Sequence, residues 1–142
     1  MSHARARQAI EIKLMAWATA RPIRVANFEQ EFAALPGETY LQAYQLPGAT
    51  TCRYLGGEAY DYTGVYQVSI TCPAGQALAT AEALVDELSA LFRVDSELSH
   101  KGFEGLITDP VDQGPTITES ATYTVPASFT YRGVADQPPA GA

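Results

Sequence analysis

The sequence predicts an α+β domain: an antiparallel or mixed β-sheet with two helices packed on one face and a long protruding β-hairpin. Three observations carry this expectation. Residues 3–20 and 77–92 repeat apolar side chains at helical spacing, whereas residues 65–72 and 122–132 alternate apolar and polar side chains as half-buried strands do. The order helix, several strands, helix, several strands fits a sheet with both helices on one face.

In the first helix, Ala6, Ile10, Leu14 and Trp17 form the apolar stripe, with Arg7, Glu11 and Lys13 elsewhere on the wheel. Ser2 can cap its start, and Pro22 ends it because proline disfavours helical geometry at Arg21. Arg5 and Arg7 stand in the first turns, where the positive end of the helix dipole disfavours cations, so something other than helix stability holds them there. Residues 23–26 read as a short strand and 27–39 as a loop in which Phe28 and Phe32 tuck under the core. A second strand covers 40–46, and Pro47-Gly48 ends it with turn chemistry.

Residues 51–71 read as the long hairpin, with Gly56-Gly57, Tyr60 and Tyr62 at its tip. In its return arm Tyr66, Val68, Ile70 and Cys72 face the core, and Gln67, Ser69 and Thr71 face water. The second helix carries Leu78, Ala81, Leu84, Val85, Leu88, Leu91 and Phe92 on one side and Glu82, Asp86 and Glu87 on the other. Residues 96–100 and 104–108 are short strands joined near Lys101-Gly102, followed by a turn-rich stretch through Pro110, Gly114 and Pro115. The closing strand, 122–132, contains Pro126, which cannot donate to a ladder and so predicts a sheet edge or bulge where another subunit can add on. Residues 1–132 thus form one domain, and 133–142, with Pro138-Pro139 and little to bury, a flexible tail.

A chain of 142 residues, 46% hydrophobic and 18% charged, has room for one globular core and no second domain. Such a chain buries roughly 68% of its unfolded surface without staples. Its formal charge of -7 disfavours non-specific binding to a phosphate backbone. That charge is polarised: residues 1–25 hold Arg5, Arg7, Lys13, Arg21 and Arg24 against Glu11 alone, a balance suited to meeting a second copy. The absence of a long apolar run or secretory block predicts a soluble, unexported protein. Cys52 and Cys72 are then reduced, small, buried or half-buried side chains.

Phosphate cradles, nucleophile elbows and zinc helices have no motif here, so no catalytic, cofactor or metal residue is assigned and no enzyme is expected. His3 and His100 read as surface histidines. Asp86 and Glu87 look like solvation of the helix, and Glu58 with Asp61 lacks the spacing of a calcium loop. Aromatic interleaving remains: Tyr54, Tyr60, Tyr62 and Tyr66 gather around the hairpin beside Arg53, and tyrosine and arginine are favoured at protein interfaces.

The run from Tyr62 to Val68, then Pro73-Ala74-Gly75 and a helix ending Leu91-Phe92, resembles the tail terminator proteins of long-tailed bacteriophages, the group that includes the lambda minor tail protein U. Trp17-Ala18, Tyr40-Leu41, Gly56-Gly57 and the closing strand fall in that family's order, so the resemblance spans about residues 5–132. It implies a structural virion protein of the phage tail and neck, assembled in the bacterial cytoplasm. The protein would be a homohexameric ring that caps the tail tube protein, ends its polymerisation and meets the head–tail connector protein. No cofactor or membrane is implied, and DNA only passes through the channel. Candidate subunit or tube contacts are Arg5, Arg7, Arg53, Tyr54, Tyr60 and Tyr62. Rival readings are another neck, tail-completion or connector protein, and a small-ligand-binding α+β module.

Overall fold

Helix α1 (Ser2–Ala20) forms where sequence spacing demanded it. Ala6, Ile10 and Leu14 are fully covered and Ala9 and Ala18 nearly so, a stripe at intervals of three and four residues. The Arg21 N–H shares the carbonyls of Trp17 and Ala18, and the Ile23 N–H returns to Ala18 at 2.9 Å, closing the last turn around Pro22. The computed structural model describes residues 2–27, 37–52, 55–57 and 59–136. Phe28, Phe32, Arg53, Tyr54 and Glu58 lie outside them.

Strand β1 (Arg24–Asn27) runs parallel to β2 (Tyr40–Thr51), which turns back antiparallel into β3 (Ala59–Pro73). Helix α2 (Leu78–Leu91) follows, then β4 (Glu97–His100), β5 (Phe103–Ile107), the two-residue β6 (Asp112–Gln113) and β7 (Ile117–Thr118), and β8 (Thr122–Asp136). Together they make a mixed, strongly curled eight-stranded sheet in the order β1-β2-β3-β8-β5-β4, with β6 and β7 also on β8. The β4–β5 turn needs positive φ at both central residues, Lys101 (47°) and Gly102 (87°), and only the second is a glycine.

The fold class is the expected α+β, and the helices share one buried cluster with the inward faces of β3 and β8. Phe92, just past α2, stacks on Phe129 at 4.6 Å, and Tyr66 lies 5.9 Å from the same ring. The Tyr123 hydroxyl donates to the Ala77 carbonyl at 2.9 Å and pins the start of α2 to β8.

Four expectations are corrected. Pro47-Gly48 does not end β2, because the register shifts between Pro47 and Thr50 and the irregularity absorbs the proline. The hairpin arms lie within the sheet: β3 pairs with β8 from Ala59↔Asp136 to Pro73↔Thr122 while β2 holds its other side. Pro126 is not at an edge, since β5, β6 and β7 succeed one another along that side of β8. It falls between the β6 partner Ala127 and the β7 partner Thr124, where no ladder bond calls for its missing N–H. Finally, β8 runs on through Asp136, so residues 133–136 are strand rather than tail, with Ala135 only 2% exposed.

Smaller differences follow from the same topology. Ser69 and Thr71, read as facing water, are buried, and the Thr71 and Thr124 hydroxyls pair across strands at 3.1 Å. Cys72 is buried but Cys52 is exposed.

Candidate interaction surfaces

Of the described candidate contact residues, Arg5 and Arg7 stand on α1 and Tyr60 and Tyr62 on β3. Arg7 turns along α1 and grips both carboxylate oxygens of Glu11, at 3.0 and 2.9 Å. Arg5 leans toward the β4–β5 turn, where a methyl group on Gly102 would lie 3.8 Å from its Nη1. Tyr60 is half-buried, with its ring 6.4 Å from that of Tyr62. Tyr62 is only 7% exposed and packs in the chain's own core. Asp61, beside it, is buried with Arg132 Nη2 at 3.6 Å. Two further cations of the basic N-terminal segment are tied internally, Arg21 to Glu87 and Arg24 to Glu38. Glu87, read as solvation, also accepts from the Trp17 indole at 3.4 Å.

His3 is half-buried rather than open to solvent on every side. Its Nδ1 lies 3.0 Å from the Tyr131 hydroxyl, its Nε2 3.0 Å from Thr50 Oγ1, and its ring meets that of Tyr62 edge-on at 5.0 Å. Gln45 Nε2 donates both to the His3 carbonyl and to the Tyr131 hydroxyl, at 2.7 and 2.8 Å. Every group is satisfied if Gln45 donates to Tyr131, Tyr131 donates to Nδ1 of a neutral imidazole, and Nε2–H donates to Thr50. Gly64 makes the room, for a Cβ there would fall on the Tyr131 hydroxyl. No local spacing could have revealed this latch, because the partners of His3 stand 47 and 128 residues away.

Burial holds the His3 pKa below its ordinary 6.5. The neutral ring is therefore the form that folding favours. Its contribution to stability is present above the unfolded value and is lost as pH falls through the lower folded value. Thermal melts of the wild type should decline more steeply on acidification through pH 6 than those of His3→Gln; parallel curves would show that the ring does not titrate on unfolding.

Tyr66 carries a fully buried hydroxyl that finds no protein partner, and burial raises its pKa far above the ordinary tyrosine range. Among the described residues no group of three or more His, Cys, Asp or Glu side chains could hold a metal ion. No helix there is long and apolar enough to cross a membrane. Among the described residues, depressions of about 420 and 430 Å³ include one between Val65, Asp109–Asp112 and Ser128–Thr130 and another on the outer side of β4 and β5.

What remains is a scaffold whose polar groups mostly serve its own fold. The profile of the family described as phage tail terminator protein matches residues 5–131. The chain belongs to that family. The chain is also similar to nine solved chains. One shares 35% identity and superposes with a TM-score of 0.79, over 98% of this chain and 99% of that one. No curated protein matched it. That family is one of structural phage tail proteins, so the chain has a structural role in the virion tail, among other tail proteins.

Proposed function

We propose that six copies of this chain form a ring that caps the tail tube, ends its polymerisation and joins it to the head-side connector. The family match over residues 5–131 carries this reading. A ring of identical chains has two unlike faces. If one copies the contacts that one tube ring makes with the next, while the other does not repeat them, addition stops there. The chain's charge of -7 agrees with a channel past which DNA slides without sticking. Arg5 and Tyr60, together with Arg53 and Tyr54, stay candidates for contact with neighbouring copies or the tube.

Phage assembled without the chain should yield tails of irregular length that fail to join capsids, and added purified protein should restore both. Virions with normal tails in its absence would overturn the reading.

A further inference from the structure

We infer that the outer face of α1 and the outer face of the β4–β5 hairpin are the two halves of one heterologous contact between neighbouring copies of this chain. The inference rests on the ring reading and names the surfaces that would close it. Helix α1 is apolar on both sides. Opposite its buried stripe, Ile12 is 58% and Met15 41% exposed, and exposed Ala16 and Thr19 continue the row at helical spacing. No acid stands in that row. Arg5 and Lys13 flank it on one side, and the Arg7–Glu11 pair on the other is internally neutral.

The hairpin offers the complement. Leu98, Phe103 and Ile107 point inward and are fully buried, so the alternate residues Glu97, Ser99, Glu104 and Leu106 face out. Register sets Glu97 across from Leu106 and Ser99 across from Glu104. With Asp95 they line the depression of about 430 Å³, whose lining carries three carboxylates, while Arg132, across from Leu106 on β8, lies 3.6 Å from buried Asp61. Leu106 is 38% exposed in its floor, and Val94, beside Asp95 in the chain, is 44% exposed. One patch is thus apolar with a cationic flank, and the other is apolar with an acidic rim, the arrangement of opposed charge that fixes partner and orientation.

The two patches cannot meet within one chain. The buried side of α1 packs on the inner side of β4 and β5, so the exposed helix row and the depression look outward from opposite sides of the same two layers. A second copy can bring its helix to the depression while offering its own depression to a third. Such head-to-tail contact closes into a ring when the rotation per copy allows it.

Charges of opposite sign placed on the two patches test the pairing. One variant carries Ile12→Glu with Met15→Glu, and the other Ser99→Arg with Leu106→Arg; all four positions are exposed, and unchanged circular dichroism and melting check that each folds. By native mass spectrometry, either variant alone should lose multi-copy assembly, with association weakened about a hundredfold or more. An equimolar mixture should regain it, because the new glutamates of one variant can pair with the new arginines of the other and the untouched patches fit each other. Variants that assemble like wild type, or a mixture that stays monomeric, overturn the pairing of these faces. If the variants also cap tail tubes as wild type does, the cap reading stands and only the pairing falls. A wild-type chain that neither assembles nor caps tubes overturns the cap reading and the inference with it.

Discussion

Replacing Gly133 with valine is expected to lower stability by about 3 kcal/mol, the upper end of the usual cost of overpacking a core against a buried ring. Gly133 on β8 stands directly across from Gly105 on β5, and the fully buried Phe103 ring lies over the trough these two glycines leave. A Cβ on Gly133 would come within 2.8 Å of Phe103 Cε1 and closer still to Cζ, while one on Gly105 would reach 2.9 Å from the same Cε1. The ring cannot retreat, because it closes the bottom of the core beneath α1. Thermal melting should fall by roughly 10 °C for a domain of this size. In a Phe103→Ala background, already destabilised, the same substitution should add little, since the clash is gone. Gly75→Ala, where a Cβ meets nothing within 4 Å, serves as the neutral control. Additive losses in the double variant would place the cost of Gly133→Val elsewhere than in the ring.

That trough also shows where sequence reading stops. Both helices were legible because their stripes repeat within a few residues: α2 was expected over 77–92 and runs Leu78–Leu91. The alternation of 122–132 gave the strand, but not its end. Glycine near a proline pair reads as tail by composition, and the reason for this glycine is a ring thirty residues earlier in the chain. Likewise, Pro126 reads as an edge until β6 and β7, each only two residues long and without a periodic signal, are seen to leave a gap beside it. Tyr62 has the chemistry of an interface residue, yet it is only 7% exposed and its ring meets that of His3, a partner near the chain's start. Polarised charge was legible, yet Glu87 and Glu38 answer two of the N-terminal cations from distant sequence positions. By contrast, the exposed row of Ile12 and Met15 was open to a reader of the helical wheel, because apolar residues on the side away from the core stripe are visible without coordinates.

Phe92→Ala is expected to cost about 3–5 kcal/mol and to loosen α2 as a unit. The fully buried Phe92 is the residue at which the helix ends: its N–H returns to the Leu88 carbonyl at 2.9 Å, and its ring stacks on Phe129 at an interplanar angle of 20°. Phe129 in turn lies against Tyr66, so one side chain couples the end of α2 to the two long central strands. At the other end of the helix the Tyr123 hydroxyl donates to the Ala77 carbonyl, which also accepts from the Thr80 N–H at 3.1 Å. Removing the ring leaves a cavity bounded by sheet side chains whose backbone is paired on both sides and cannot collapse into it, which places the cost toward the upper part of the range. Amide exchange in α2 should quicken well before exchange in β3 and β8, whereas Phe92→Leu, which keeps most of the volume, should cost under about 1.5 kcal/mol. Uniform acceleration across helix and strands would show instead that α2 and the sheet open only together. Because neither α1's outer row nor the β4–β5 depression includes Phe92, association between copies should fall only as far as the folded population does, which separates a stabilising ring from a contact residue.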